Sequence, residues 1–207
     1  WYPGLDRDIE RVVNTCPVCV QCSSMPPAKE PVPWPETKEK WSRVHVDYAG
    51  PVDRHMLLIA VDSHTKWIEV SPVKIASAGW TIEALQSMFS RFGLPRTVVS
   101  DNGPQFTSAQ CQSFMNENGI RHFCTAPYHP QSNGLAERAV RTIKLGLRKN
   151  ARGTLQGRLD QILLQYRRTP LPSGKTPAFM LLGFEPRCKL DNIVSGRPFS
   201  HADTEHP

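Results

Sequence analysis

The sequence lacks any long hydrophobic run. Its longest purely apolar stretch covers residues 56–61, whereas a helix that crosses a bilayer needs about 20 apolar residues. The amino-terminal residues also lack the charged and then apolar order of a secretory leader. We therefore expect a soluble protein without a targeting segment.

Three further features that are absent or scarce help to predict the origin and the partners of the chain. The chain starts at Trp1 without an initiating methionine, which predicts a piece cut from a longer polyprotein. No histidine precedes His45. Acids are scarce between Arg138 and Arg168. This segment contains nine Lys or Arg and one acid, Asp160, in a chain of net charge +6. Such a local cationic field predicts a polyanionic partner, although a solvated helix face has the same composition.

Cysteine is sparse outside one cluster. Of the six cysteines, three lie at Cys16, Cys19 and Cys22, and without a secretory signal they are expected to be reduced. Cys16 and Cys19 have the spacing of half a tetrahedral zinc site, whose completion needs two more nitrogen or sulfur ligands. Cys22 is an alternative third ligand, and ordinary buried thiols remain an alternative for all three.

The distribution of proline and of apolar residues predicts the organisation of the chain. Five prolines between residues 23 and 40 predict a linker, because proline lacks an amide donor and fixes φ. Beyond it, three strand-like runs predict an antiparallel meander, and a fourth, reached through a helix, is expected to lie parallel to the first. The predicted fold class is α/β, a mixed five-stranded sheet flanked by helices. Predicted strands cover residues 44–48, 56–62, 67–70, 97–100 and 120–124; predicted helices cover 78–92, 107–118, 133–150, 155–168 and 176–184.

Three acids fall where these elements are expected to meet. Asp47 lies in the first strand, Asp101 follows the fourth strand at its carboxyl end, and Glu137 lies in the first turn of the basic helix. Two divalent ions about 3.5–4 Å apart can hold the entering and leaving oxygens of a phosphodiester, and carboxylates are the ligands such ions prefer. The three acids are therefore predicted to be catalytic and to bind two ions of Mg²⁺ or Mn²⁺.

Each acid also has an alternative interpretation. Asp47 could be a solvent-facing residue of an edge strand. Asp101, with Asn102 and Gly103, has the composition of a tight turn. Glu137 could simply complement the helix dipole.

Helical spacing places three cations on the same face as Glu137, namely Arg141, Lys144 and Arg148. The preceding loop contains Gln131 and Asn133, which are candidates for DNA contacts. Asn133 could equally cap the helix.

Several sequence motifs of the chain resemble those of a known family. The segments 100–106 and 129–134, and the thirty-five residues between Asp101 and Glu137, are similar to the catalytic core of retroviral and retrotransposon integrases. The segments 166–169, 176–179 and 183–186 are most similar to gypsy-type elements.

The resemblance implies a ribonuclease H-like core, 3′-end processing and strand transfer into target DNA, a homo-multimer, and action on nuclear DNA inside the cell. It implies that Arg141 and Lys144 contact the DNA end, and that two upstream histidines would complete a Zn²⁺ site with Cys16 and Cys19. Alternatives are a domesticated or inactive integrase that only binds nucleic acid, and a nuclease acting on RNA–DNA hybrids. The implied divisions are a partial zinc-binding end (1–22), a linker (23–40), a catalytic core (41–152), a helical extension (153–190) and a weakly patterned tail (191–207).

Overall fold

The computed structural model describes residues 2–15, 34–35, 37–125, 133–189 and 191. The chain divides into two compact units between Pro33 and Trp34. The described part of the first unit contains helix α1 (Leu5–Thr15), with acids in the first turn, where they complement the helix dipole. Among the described helices, none has the length and apolar character that a membrane span requires.

The second unit is built on a five-stranded sheet in the order β3-β2-β1-β4-β5. β1 is central, antiparallel to β2 and parallel to β4, while β2 pairs antiparallel with β3 and β4 pairs parallel with β5. The predicted meander and the predicted parallel fourth strand are confirmed. The strands are β1 (Arg43–Val52), β2 (His55–Asp62), β3 (Ile68–Val73), β4 (Thr97–Ser100) and β5 (Arg121–Cys124).

Helices cover both faces of this sheet. They are α2 (Ala78–Phe92), α3 (Pro104–Thr107), α4 (Ala109–Glu117), α5 (Gly134–Lys149), α6 (Leu155–Arg168) and α7 (Pro177–Leu182). One core joins Val44 and Val46 to side chains of α2 and α4. The other joins Leu57 and Ile59 to side chains of α5 and α6. The predicted mixed sheet with flanking helices is therefore the observed fold.

The helix predicted over residues 107–118 is observed as α4 (Ala109–Glu117), and the short helix α3 (Pro104–Thr107) precedes it. Ser108 adopts an extended conformation, and its hydroxyl accepts a hydrogen bond from the Cys111 amide. That side-chain cap begins α4 and ends the short α3 before it. Sequence periodicity does not detect such a break, because Phe106 and Cys111 are both buried on the same side.

A buried carboxylate on edge strand β3 connects the two helical layers. Glu69 is 7% exposed and forms ion pairs with Arg167 of α6 at 2.6 Å and Arg91 of α2 at 3.0 Å. Its carboxylate also accepts the Trp67 indole N–H, and the Arg167 guanidinium lies 3.9 Å from the centroid of that ring. Arg167 further donates to the Ile68 carbonyl. Glu69 therefore has a structural role.

We predict that Glu69→Ala lowers the free energy of unfolding by about 3–5 kcal/mol, because it leaves the largely buried Arg167 guanidinium without its counter-charge. The measurement is urea denaturation. Glu39→Ala is the matched control, since Glu39 pairs with Arg96 on the surface and should lose less than about 1 kcal/mol. Equal losses in the two variants would contradict the structural role of Glu69.

Candidate active site

Asp47 lies in the middle of the central strand, on the face covered by α5. Strand alternation sends Val46 into the opposite core and directs His45 and Asp47 toward α5. The Asp47 carboxylate is half-buried, and its Oδ1 accepts the Tyr48 amide N–H at 2.7 Å. The alternative of an edge-strand position is wrong, because β1 has a neighbouring strand on each side.

Asp101 follows the last residue of β4, next to β1. Its Oδ1 accepts the Gly103 amide at 3.0 Å, so the predicted turn is present and fixes the carboxylate that it carries. The Ser100 hydroxyl donates to the Asp101 carbonyl, and this leaves the hydroxyl oxygen to accept a hydrogen bond from His122 Nε2, 2.9 Å away. Burial lowers the pKa of His122, which favours the neutral ring.

Glu137 is positioned by the docking of α5 on β1 and β2. Ala136, Ile143 and Leu147 are buried against that sheet face, and each large apolar side chain contributes about 1.5–3 kcal/mol on full burial. Glu137 lies on the exposed side of the helix, in its first turn. No described residue donates a hydrogen bond to its carboxylate.

The Asp47 carboxyl is influenced electrostatically by the other two acids. Burial raises the pKa of Asp47 to about 6, and the negative charges of Asp101 and Glu137 raise it as well. The Tyr48 amide and the Lys144 ammonium act in the opposite direction. Three acids from a strand, a strand end and a helix therefore share one electrostatic site.

This donor set has the chemistry of a divalent-cation site. Mutual repulsion among carboxylates is relieved by a bound cation, and the second oxygens of Asp47 and Asp101 accept no hydrogen bond from the described residues. Within the described ranges, however, no three His, Cys, Asp or Glu side chains lie close enough together to share a metal ion. The donors fit Mg²⁺ or Mn²⁺, and binding requires the carboxylates to draw closer than they are in this conformation.

Comparison with known proteins identifies the domain. Residues 39–130 match the family described as the integrase core domain. An uncharacterized protein of Caenorhabditis elegans is 42% identical over 94% of this chain, and the Pro-Pol polyprotein of simian foamy virus type 3 is 32% identical over 99%. The HTLV-2 integrase catalytic core domain, in complex with magnesium in a trimeric form, superposes with a TM-score of 0.59 at 26% identity, covering 67% of this chain and 95% of that one.

Residues 39–130 form an integrase core domain. The predicted resemblance to retroviral and retrotransposon integrases, and the ribonuclease H-like architecture, are confirmed. The chain spans only 16% and 18% of the lengths of the two curated relatives.

The second unit carries the predicted cationic residues on the exposed side of α5. Arg141, Lys144 and Arg148 are all exposed, and Lys144 is near enough to Asp47 to lower the pKa of that carboxyl. Their DNA contacts stay a prediction. Gln131, Cys16 and Cys19 lie outside the described residues, so their predicted roles also stay predictions.

Asn133 is located differently from expectation. The side chain is 4% exposed, its amide Nδ2 donates to the Val46 carbonyl at 3.0 Å, and its Oδ1 lies 3.2 Å from His45 Nδ1. It precedes α5 without a side-chain capping bond, so the capping prediction is wrong. Because the amide is engaged with β1, the predicted DNA contact through Asn133 also disagrees with this geometry. One sequence pattern pointed to the contact between Asn133 and His45. Strand alternation places His45 on the same face of β1 as Asp47, the face that α5 covers.

We predict that Asp47→Asn stabilises the integrase core at neutral pH in EDTA. A folded-state pKa of about 6 against an ordinary value of 3.8 means that the folded state binds this proton more tightly than the unfolded state. Stability is therefore lost as pH rises between these values, and the variant cannot ionise. Thermal unfolding from pH 4 to 8 should show the variant gaining on the parent until about pH 7. A pH-independent difference would contradict this electrostatic site.

Proposed function

We propose that the protein is an integrase-type polynucleotidyl transferase that trims the 3′ ends of element DNA and joins them to target DNA. The observation that carries the proposal is the electrostatic effect of both Asp101 and Glu137 on Asp47, in a chain whose residues 39–130 match the integrase core family. Negative charge develops on both the entering and the leaving oxygen when a phosphodiester is attacked. Three carboxylates near one position could hold the cations that neutralise this charge.

Both proposed steps are displacements at phosphorus. In end trimming, a water oxygen bonds to phosphorus, the bond from phosphorus to the 3′ oxygen breaks, and that oxygen takes up a proton to leave a 3′ hydroxyl. In joining, this hydroxyl attacks a phosphodiester of the target, its proton is released, and a target 3′ oxygen departs. One phosphodiester replaces another in the second step, so no external energy source is required.

Asp47, Asp101 and Glu137 are the proposed ligands of two Mg²⁺ or Mn²⁺ ions. When bound, such ions stabilise charge on the entering and leaving oxygens and lower the pKa of the attacking group. Asp47 is the best placed to serve both ions, since it is the acid whose pKa responds to each of the other two. The free second oxygens of Asp47 and Asp101 leave each carboxylate able to bind while its turn or strand hydrogen bond persists.

The exposed side of α5 is the proposed DNA-binding surface, consisting of Arg141, Lys144 and Arg148. These cations continue along the helix from Glu137, so a phosphate backbone lying along them would deliver a phosphodiester to the acids. Lys144 is the central residue of this surface because it also acts on Asp47. We further propose that the protein forms a homo-multimer and acts on nuclear DNA. Cys16 and Cys19 would bind Zn²⁺ together with upstream histidines.

We predict that Asp47→Asn, Asp101→Asn and Glu137→Gln each lower the rate of trimming and joining by about 100-fold or more, equivalent to about 2.7 kcal/mol of barrier. The assay uses labelled duplexes that carry the element's terminal sequence, with Mg²⁺. Glu83→Gln, an exposed acid of α2, is the control and should match the parent. Joining by all three variants at the parental rate would refute the assignment. DNA binding by the parent without Mg²⁺-dependent stabilisation or activity would instead favour a binding-only protein.

We predict that Lys144→Ala weakens DNA binding and makes the slope of log K against log salt shallower by about one unit, because one phosphate contact is lost. Fluorescence anisotropy across a salt series measures both quantities. Lys74→Ala is the matched control, since Lys74 is exposed beside Trp80 of α2, a helix that packs in the other core. Similar losses in both variants would contradict a specific surface on α5.

A further inference from the structure

The hydrogen bonds of Asn133 join the strand of one acid to the helix of another. Asn133 Nδ2 donates to the Val46 carbonyl at 3.0 Å, and Oδ1 lies 3.2 Å from His45 Nδ1. Asn133, His45 and Val46 are 4%, 2% and 0% exposed. The amide therefore bridges two successive residues of β1 in a site closed to solvent, where hydrogen bonds are costly to lose.

The chemistry of the three groups fixes the orientation of the bridge. A backbone carbonyl only accepts, so the Asn133 amide must present its NH₂ group to Val46. Its oxygen then faces His45, and Nδ1 of that ring must carry the proton. Every polar atom of the amide that faces β1 thus has a matched partner.

The bridge lies beside both acids in the sequence. Val46 immediately precedes Asp47, and Asn133 is four residues, or about one helical turn, before Glu137. Within the described residues, these two bonds are the only side-chain hydrogen bonds between β1 and α5 with its preceding residue.

The apolar contacts of α5 do not define its position in the same way. Ala136, Ile143 and Leu147 hold the helix against the sheet, but hydrophobic attraction is non-directional and permits small sliding along the sheet. Hydrogen bonds from Asn133 to two consecutive residues of β1 have directional geometry, so they define the axial position of the helix start. A shift there would move Glu137 relative to Asp47.

We propose that Asn133 is a positioning residue, which sets the separation of Asp47 and Glu137 and so the geometry of the divalent-cation site, rather than a residue that touches DNA. This inference rests on the proposed function of the three acids. Supporting groups that orient metal ligands commonly change metal affinity or activity by about 10–100-fold when removed.

The test compares Asn133→Ala, Asn133→Asp and the parent in three measurements on the 207-residue chain. These are Mn²⁺ affinity by calorimetry, DNA affinity in EDTA by anisotropy, and kcat and KM for DNA joining. Asn133→Asp keeps the acceptor for His45 but cannot donate to Val46, so it tests that bond with almost no change of shape. Both variants should bind Mn²⁺ at least about tenfold more weakly and lose kcat in parallel, while KM and DNA affinity stay within about twofold.

Two further variants separate positioning from general destabilisation. Tyr166→Phe removes one partly buried hydrogen bond, to the Lys66 carbonyl between β2 and β3, and should lose stability without losing Mn²⁺ affinity. His45→Leu should weaken Mn²⁺ binding, and His45→Gln, which restores an N–H donor, should recover part of it. If the Asn133 variants do not fold, the comparison of His45→Leu with His45→Gln tests whether these hydrogen bonds position the acids.

Three results would overturn the inference. They are parental Mn²⁺ affinity in both Asn133 variants, weaker DNA binding at unchanged kcat, and an equal loss of Mn²⁺ affinity in Tyr166→Phe. If the parent joins no DNA, the proposed function fails, and the Mn²⁺ measurements alone still decide whether Asn133 positions the acids.

Discussion

Burial of the Asp47 carboxylate in the central strand, beside two further negative charges, is the constraint on which the rest of the structure depends. Burial and two neighbouring negative charges raise the pKa of Asp47 to about 6, so the ionised site is unfavourable for the fold in the absence of a counter-charge. In the proposed function a divalent cation supplies that charge, whereas an apolar residue at position 47 would be more stable but could bind no cation. The stability lost at this point is the counterpart of the proposed cation binding.

Separate structural features position the acids. Alternation along β1 directs Val46 into one core and Asp47 toward α5, so a one-residue slip would move the acid into the opposite core. A turn fixes the carboxylate of Asp101 through the Gly103 amide. At the edge of the sheet, Glu69 and Arg167 connect α6 to β3, which stabilises the layer on which α5 packs.

Much of this was predictable from the sequence because the determining patterns are local. The strands around Asp47, the parallel β4 and the cationic face of α5 follow from residue periodicity and spacing, and the motifs around Asp101 and Glu137 indicated the family. The hydrogen bonds of Asn133 were not predictable, since its partners lie 87 and 88 residues away and a loop asparagine before a helix looks like a cap. The short helix α3 before Ser108 was not predicted, because it adds only one turn in front of the apolar period of α4.

The central claim is that Asp47, Asp101 and Glu137 bind divalent cations together. Crystals of the protein soaked in Mn²⁺ and measured for anomalous scattering test it most directly. The account predicts anomalous density in contact with all three carboxylates, and its loss in crystals of Asp47→Asn. Density bound elsewhere, or none between these acids at saturating Mn²⁺, would contradict it.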